Sequence, residues 1–278
     1  MMARALCFSI FLSITVVSGL LHADQPKLHF TGAFEQGGLV IGETAPDTIV
    51  TMNGRKLLVS PNGKFIFGFG RDYKKTILLR ARFANGEIVE RQFKIKQRKY
   101  KIQRIDGLKK AMVNPNQDAL KRIKREGKLV AQARAKDTEK PWFENGFIWP
   151  TIGPISGVYG SQRILNGQPR RPHFGVDVAM PTGTPVKATT DGRVTLAEKD
   201  LYFTGGSIII DHGHGLSSTY IHLSEVAVEV GQVVKQGETI GAIGATGRVT
   251  GPHLDWRFNW FKERLDPQLL APPMPKTK

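Results

Sequence analysis

The chain has 278 residues, of which 40 are Lys or Arg and 24 are Asp or Glu, so its formal charge at pH 7 is +16. Its single cysteine, Cys7, excludes a disulfide framework, but a chain of this length can bury enough apolar surface for two domains without one. The charge favours polyanionic neighbours. Nucleic acid is not expected among them, because the sequence has no recognisable nucleic-acid-binding motif.

The first 23 residues have the features of a secretory signal peptide. Arg4 precedes an apolar run from Ala5 to Leu21, and small residues at the end of the run provide a cleavage site after Ala23. The alternative, a membrane anchor, is less favourable because the run is short and polar residues interrupt it. We therefore expect an exported protein, in the periplasm or released from the cell, whose mature part does not span a membrane. Anionic envelope components would be its polyanionic partners.

Residues 24–100 are rich in strand and hairpin signals. Phe93 and Ile95 alternate with lysines, which predicts that the two apolar side chains face a core and the lysines face water. Two-residue Asn-Gly loops favour the primed turns of antiparallel hairpins. Three such pairs lie between short β-rich runs: Asn53-Gly54, Asn62-Gly63 and Asn85-Gly86. We predict a small β-sandwich of immunoglobulin-like type without a catalytic cluster.

Residues 101–149 are strongly basic and are predicted to form a linker with one packed helix. Asn116 can cap a helix that runs to about Ala135, with Asp118 in its first turn. Gly127 destabilises this helix by about 1 kcal/mol relative to Ala, which counts against the prediction. The apolar face of this helix would consist of Leu120, Ile123 and Val130.

Short strands separated by Gly and Pro fill residues 150–265, which predicts a compact antiparallel β domain followed by a tail over residues 266–278. The fold class is therefore all-β, or mainly β. Loops around residues 162–171 and 199–205 could wall a groove. The tryptophans Trp256 and Trp260 could line that groove or pack in the core.

Three Gly-flanked clusters gather His and Asp within the C-terminal domain. Residues two apart on a strand share a face about 7 Å apart, so His253 and Asp255 can point into one cleft. An extended chain would hold His173 and Asp177 about 13 Å apart, too far for both to reach one metal ion at about 2 Å. The chain must therefore bend between them, and Gly175 permits the bend. The clusters are His173–Asp177, Tyr220–Ser224 and Gly251–Asp255.

The clusters and their order resemble the lysostaphin/LytM-type zinc metalloendopeptidases, which cut peptide crosslinks in bacterial peptidoglycan. The resemblance covers roughly residues 150–260. It implies that His173 and Asp177 bind zinc, with one ion per chain, and that His222 and His253 are catalytic. The family's third ligand is a His, and Asp255 stands at its position.

A carboxylate oxygen also binds zinc, at about 2.0–2.2 Å, so Asp255 is the predicted third ligand. Two carboxylates make the ion a weaker Lewis acid, and an oxygen-rich shell suits Mn²⁺ better than a His-rich shell does, so Mn²⁺ is the alternative ion. Three protein ligands leave a position for an activated water. His222 or His253 would take its proton or donate to the oxyanion, and the sequence does not decide which residue has which role.

Three functions follow from these motifs. The first is a zinc-dependent endopeptidase of peptidoglycan crosslinks, and the second is a wall-binding regulator or activator of other cell-wall hydrolases that has lost catalysis. The third is a periplasmic metallopeptidase that acts on proteins or peptides. The presence of both His222 and His253 favours the first, because binding alone makes no chemical demand on them. The remaining histidines, His29, His212 and His214, are predicted to be structural.

Overall fold

The computed structural model describes residues 28–108 and 110–275. The predicted signal peptide and Cys7 lie outside these residues. Within them the protein is mainly β, which confirms the predicted fold class. Over the same ranges, we find no helix whose length and apolar character would let it cross a membrane.

Seven strands at the N-terminal end form two antiparallel sheets. These strands are β1 (His29–Gly32), β2 (Leu39–Glu43), β3 (Ile49–Met52), β4 (Arg55–Leu57), β5 (Lys64–Gly68), β6 (Thr76–Arg82) and β7 (Ile88–Lys94). One sheet has the order β1-β2-β5 and the other the order β4-β3-β6-β7. Phe30 of β1 contacts Phe93 of β7 with ring centroids 5.2 Å apart, so the inner faces of the two sheets pack together as a sandwich.

Phenylalanine side chains fill the space between these two sheets. Phe65 and Phe67 of β5 are fully buried and stack with centroids 6.2 Å apart, while Phe30 meets both rings edge-on. Such edge-to-face contacts add to the gain from apolar burial. Ile95 is buried and Phe93 is partly buried, whereas the neighbouring lysines are exposed, as the alternation predicts.

The three Asn-Gly pairs all lie in turns, but only two of them close a hairpin. Asn53-Gly54 joins the paired strands β3 and β4 with both residues at positive φ, as a type I′ turn requires. Asn85-Gly86 lies in the loop between β6 and β7. Asn62-Gly63 instead connects β4 to β5, which belong to different sheets, and Gly63 O accepts a hydrogen bond from Thr44 N. The local turn preference was predicted correctly, but its pairing partners depend on long-range packing.

The basic segment contains the predicted helix and also a strand that was not predicted. Helix α1 (Lys110–Val113) is short, and helix α2 (Gln117–Arg134) is capped by the Asn116 side chain, which accepts from Ala119 N over 2.9 Å. This confirms the predicted cap and extent of the helix. Strand β8 (Ile102–Ile105) pairs in parallel with a strand of the C-terminal part. The segment is therefore more than the linker with one helix that the sequence predicts.

The remaining strands form the C-terminal part, with short 3₁₀ turns at Trp142–Asn145 and Pro267–Leu269. They are β9 (Ile155–Gly157), β10 (Gln162–Leu165), β11 (Gln168–Pro169), β12 (Val176–Val178), β13 (Pro185–Lys187), β14 (Gly192–Leu201), β15 (Gly205–Asp211), β16 (Leu216–Val226), β17 (Val233–Val234), β18 (Thr239–Ile243), β19 (Leu254–Trp260) and β20 (Glu263–Leu265).

One large antiparallel sheet carries the order β17-β14-β15-β16-β19-β12-β9, and β13, β18 and β20 extend it. The hairpin β10–β11 joins β8 in a separate small sheet. Trp256 and Trp260 on β19 are buried, so both tryptophans pack in the core and do not line the groove. Strands β12, β16 and β19 lie side by side and carry residues of the three His and Asp clusters noted above.

Exposed and buried side chains alternate along β6, which gives a direct test of the sandwich. Leu79 is fully buried and Leu78, its neighbour, is 44% exposed on the opposite face. We expect Leu79→Ala to lower the free energy of unfolding by about 2–5 kcal/mol, because it leaves a core cavity. Leu78→Ala should cost about 0.5 kcal/mol or less. Urea unfolding followed by circular dichroism measures both, and equal effects would contradict this placement of the core.

Candidate metal centre

The sheet brings the three predicted ligands together. Asp177 on β12 stands directly opposite Asp255 on β19 in an antiparallel pair, and His173 lies in the loop that enters β12. All three residues are buried. Like charges that face each other across a sheet are destabilising, and burial adds to that cost. The pair therefore depends on nearby cations.

The predicted bend between His173 and Asp177 is present, and Gly175 is needed there because it has no side chain. A Cβ at Gly175 would lie 2.3 Å from Asp255 Oδ1 and 2.6 Å from Arg257 Cγ. Gly175 is not among the residues with positive φ. The prediction of a bend was correct, but the reason for the glycine is close approach and not an unusual backbone conformation.

The donor atoms of the three residues have the spacing of a metal shell. His173 Nε2 lies 3.0 Å from Asp177 Oδ1 and 3.2 Å from Asp255 Oδ2. Ligands at about 2.0–2.2 Å in a tetrahedron are separated by about 3.3–3.6 Å, so these distances are a few tenths of an ångström shorter and close to the spacing around one small ion. Asp177 Oδ1 is buried and receives no hydrogen bond, which leaves it open for a cation.

Backbone carbonyls orient the three histidines near this centre. The Nδ1 atoms of His173, His222 and His253 lie 3.3, 2.9 and 2.9 Å from the carbonyl oxygens of Val158, Thr246 and Gly251, respectively. A carbonyl oxygen only accepts, so each Nδ1 carries the proton and each neutral ring keeps its lone pair on Nε2. A hydrogen bond to the second ring nitrogen is the usual way to fix a metal-binding or catalytic imidazole.

The two predicted catalytic histidines lie beside the ligand group. The rings of His222 and His253 have centroids 4.9 Å apart, and His253 Nε2 is 3.9 Å from Asp177 Oδ1. His222 has a φ of 68°, in the left-handed region that side chains other than glycine rarely adopt. Such a conformation costs about 1–3 kcal/mol and persists only where the surroundings enforce it. Burial lowers the pKa of His222 to about 4, so its ring is neutral at pH 7.

Two arginines compensate the carboxylate pair, and the sequence prediction missed both. Arg257 Nε donates to Asp255 Oδ1 over 2.8 Å, and its Nη2 donates to Oδ2. Arg163 Nη2 donates to Asp177 Oδ2 over 2.9 Å. Burial opposes ionisation of Asp255, but Arg257 and His173 hold its pKa well below the usual range. The period-2 rule that places His253 and Asp255 on one face could also have identified Arg257, two residues further along β19.

Burial and the neighbouring carboxylates shift the pKa of His173 in opposite directions. Desolvation lowers the pKa of its ring, but the carboxylates of Asp255 and Asp177 outweigh that effect and raise it. Its Nε2 can thus share either a proton or a metal ion with the two carboxylates. Metal ligands of this type exchange a proton for the ion on binding.

The other histidines do not join the group. His29 is exposed on β1, and His214 lies in the turn between β15 and β16, where its Nε2 is 3.0 Å from Glu139 O. His212 is completely buried, with Nδ1 2.7 Å from Asp191 O and Nε2 2.7 Å from Ser218 Oγ. Hydrogen bonds satisfy the buried His212 ring, which agrees with the structural role predicted for it.

Comparison with known proteins agrees with this geometry. The profile of peptidase family M23 matches residues 171–267, which include the ligand group and both neighbouring histidines. The chain contains a peptidase family M23 domain. Metallopeptidases occur among its M23 relatives, including a metalloprotease of Haemophilus influenzae.

Two curated relatives share the M23 part of the chain. Peptidoglycan DD-endopeptidase ShyA of Vibrio cholerae is 47% identical over 87 residues, which make up 31% of this chain and 20% of ShyA. Cell division protein DipM of Caulobacter vibrioides is 32% identical over 155 residues, or 52% of this chain and 25% of DipM. The chain thus spans a quarter or less of these relatives.

A solved structure extends the likeness beyond the M23 part. A peptidase M23 crystal structure from Pseudomonas aeruginosa is 28% identical, with a TM-score of 0.62, and the match covers 85% of this chain and 94% of that one. A match of this extent is not confined to the M23 domain and includes much of the N-terminal part of the chain.

The buried His212 predicts a pH dependence of stability. Burial lowers the pKa of its ring from 6.5 to about 4. Between these values the unfolded chain takes up a proton that the folded M23 domain does not, so lowering the pH from 6.5 to 4 should reduce the free energy of unfolding. The limit for one group is about 1.4 kcal/mol per pH unit.

His212→Gln should reduce this slope relative to the parent chain. A direct measurement is an NMR titration of the histidines, in which the His212 ring should stay neutral down to about pH 4. Titration of His212 near pH 6.5 would contradict the proposed burial of this ring.

Proposed function

We propose that this protein is a zinc-dependent endopeptidase that hydrolyses amide bonds in the peptide crosslinks of peptidoglycan. The observation that carries the proposal is the convergence of His173, Asp177 and Asp255 on one point, with His253 Nε2 3.9 Å from Asp177 Oδ1 and the His222 ring beside that of His253. The ligand-donor atoms of the three residues all lie within 4.8 Å of one another. The substrate follows from relatives such as ShyA, which is named a peptidoglycan DD-endopeptidase.

The residues present fit a zinc ion. His173 Nε2, Asp177 Oδ1 and Asp255 Oδ2 would hold it, because their separations of 3.0 and 3.2 Å suit a small tetrahedral shell. Mn²⁺ usually takes more ligands in an octahedral shell, so it fits this tight three-residue group less well. A bound zinc ion would polarise the amide carbonyl and activate water.

His222 and His253 would handle the proton. Each has Nδ1 bound to a carbonyl oxygen, so each presents Nε2 as a proton acceptor. His222 is neutral at pH 7, so the lone pair on its Nε2 is available to a proton, but burial lowers its pKa to about 4 and makes it a weaker base than a free imidazole. Once protonated, either ring could donate a hydrogen bond to the oxyanion that forms at the attacked carbonyl.

Arg257 would make Asp255 an acceptable substitute for the family's third His. A neutral His contributes no charge to a ligand set, whereas an isolated Asp contributes one negative charge and weakens the Lewis acid. The two hydrogen bonds from Arg257 place a positive charge directly on that carboxylate. The Asp255–Arg257 pair is therefore close to neutral, and the overall charge of the ligand group matches that of a His-Asp-His set.

The compartment follows from the substrate and the N-terminal sequence. The predicted signal peptide over residues 1–23 directs export, and the periplasm gives direct access to peptidoglycan. The charge of +16 suits contact with anionic envelope components. We propose a periplasmic protein, and a regulatory protein partner is compatible with it.

A second candidate function is a wall-binding regulator without catalysis. The specific observation in its favour is that Arg257 engages both oxygens of Asp255, so the guanidinium could stabilise the site without any metal. A third, a metallopeptidase that acts on other peptides, shares the site and differs only in the substrate.

Sacculus digestion tests the proposed reaction. Zinc-loaded protein should release soluble peptide fragments from purified sacculi, and a chelator should stop the release. His222→Ala and His253→Ala should each lower the rate at least about 100-fold, since each removes a proton-transfer or oxyanion contact, while one zinc per chain is retained. His29→Ala, an exposed histidine on β1, is the matched control and should digest sacculi normally.

Fragments identified by mass spectrometry would give the bond that is cleaved. Loss of zinc in the His222 or His253 variants would contradict their assignment as residues outside the ligand set. Stoichiometric zinc without any release from sacculi would favour the second or third candidate function.

The Asp255–Arg257 pair gives a double-mutant test. Asp255→His alone should weaken zinc binding at least about tenfold, because Arg257 then faces the dication with no carboxylate between them. Asp255→His combined with Arg257→Gln should recover most of the affinity. Competition with a chromophoric chelator measures the dissociation constant of all three proteins.

The opposite order of affinities would overturn this role of Arg257. If Asp255→His alone binds zinc as tightly as the double variant does, the arginine does not compensate the carboxylate. If only the double variant digests sacculi, and the parent protein does not, the regulator is the better interpretation of the natural chain.

A further inference from the structure

Beside the metal centre lies a cleft of about 580 Å³ whose walls are rich in arginine. His173 and His222 are among the residues that line it, so a molecule in the cleft would reach the proposed reaction site. Six guanidinium groups line it: Arg163, Arg170, Arg171, Arg248, Arg257 and Arg264.

The positive charge of this cleft is only partly compensated. Arg163 and Arg257 pair with Asp177 and Asp255, as described above. Arg170 binds neutral acceptors, with its Nη2 3.0 Å from Val113 O and 3.1 Å from Asn114 Oδ1. Among the described residues, no Asp or Glu lines the cleft, and no carboxylate lies within ion-pair distance of Arg171 or Arg264.

The surroundings of Arg264 agree with that conclusion. Burial, and after it the charges of Arg257 and Arg171, lower the pKa of Arg264 to about 10. Burial has the larger effect, and the neighbouring guanidinium groups add to it. The Nε of Arg163 is buried and has no hydrogen-bond partner, which leaves a donor unsatisfied in the same wall.

The lining of the cleft is also partly apolar. Val113 at the end of α1 and Leu120 and Ile123 on the first turns of α2 line it together with the arginines, and Phe203 adds an aromatic ring whose centroid lies 4.3 Å from Arg248 Cζ. Leu120 is 45% exposed, so part of the predicted apolar face of the helix lines the cleft and does not pack in the core. A molecule that fits this mixed lining carries both anionic and aliphatic groups.

We infer that this cleft selects peptides that carry free carboxylates beside aliphatic side chains, an inference that rests on the proposed peptidase function and specifies its substrate. The planar guanidinium group matches a carboxylate with two parallel hydrogen bonds. Carboxylates of a bound peptide would neutralise the excess charge, and its methyl and methylene groups would cover the apolar side chains. A phosphodiester polymer would leave those apolar side chains exposed to water.

Binding of one wall peptide in two chemical forms tests this inference. The probe is the uncrosslinked tetrapeptide released from sacculi, with its carboxylates either free or converted to primary amides. Binding is measured by isothermal titration calorimetry with the zinc-loaded full chain carrying His253→Ala, which prevents turnover. We expect the free-carboxylate form to bind at least tenfold more tightly, and its affinity to fall as salt is added.

Arginine variants locate the effect in the cleft. Arg171→Gln and Arg264→Gln, each added to the His253→Ala chain, should weaken binding of the free-carboxylate peptide at least fivefold. Each should leave the affinity for the amidated peptide unchanged. Arg193→Gln removes the same charge from an exposed site outside the cleft and should change neither affinity. If Arg264→Gln does not fold, the Arg171→Gln variant at an exposed position and the comparison of the two peptides still test carboxylate selection.

The outcomes separate this inference from the proposed reaction. Equal affinities for the two peptides, or an equal loss in the Arg193 control, would overturn carboxylate selection even if sacculi are digested. Displacement of the acidic peptide by inorganic phosphate at equal concentration would also overturn it, because the cleft would then be a general anion site. Arginine-dependent binding of the acidic peptide without hydrolysis by the parent protein would support the selection and refute the endopeptidase.

Discussion

Two buried carboxylates that face each other across neighbouring strands are the constraint on which this site depends. The register of β12 and β19 places Asp177 against Asp255, and burial makes their repulsion costly. Three positive charges can offset that cost. Arg163 pairs with Asp177 and Arg257 pairs with Asp255. The third charge is a proton or a metal ion held between His173 Nε2 and the two carboxylates.

The sheet keeps this arrangement compact by excluding side chains where the ligands approach. A Cβ at Gly157 would lie 2.1 Å from Asp177 Oδ2, and a Cβ at Gly175 would collide with Asp255 Oδ1. Both glycines therefore leave room for carboxylate oxygens. The positive φ of His222 is a second local cost, and it falls where the register between β15 and β16 shifts, between the pairs of Ile221 and Leu223. Such costs are typical of functional sites, because the surrounding sheet stabilises conformations that a free chain would avoid.

The helical segment connects the site to the rest of the chain. Glu126 of α2 accepts a hydrogen bond from Tyr202 N over 2.8 Å, and Arg122 donates to Asp200 O, so the helix is attached to the end of β14. The same helix presents Leu120 and Ile123 to the arginine-lined cleft. One element thus serves as a structural brace and as part of the apolar lining of the groove, which explains why only part of its apolar face is buried.

Local signals in the sequence predicted a large part of this protein. The cap at Asn116, the alternation at Phe93 and Ile95, and the Asn-Gly turns are short-range features, because each depends on atoms only a few residues apart. The clusters that contain His173, His222 and His253 were also recognisable by their spacing and by their likeness to one family. These patterns determined the mainly-β class, the helix in the basic segment and the candidate ligands.

Tertiary structure alone decided the rest, because it depends on which distant segments become neighbours. The parallel pairing of β8 with β10, the opposition of Asp177 and Asp255, and the convergence of Arg163 and Arg264 on one cleft join residues far apart in the chain. No local preference encodes such pairings. The sequence by itself determined which chemical groups are present and how each short segment folds, whereas the register of the sheet decided which charges meet and must compensate one another.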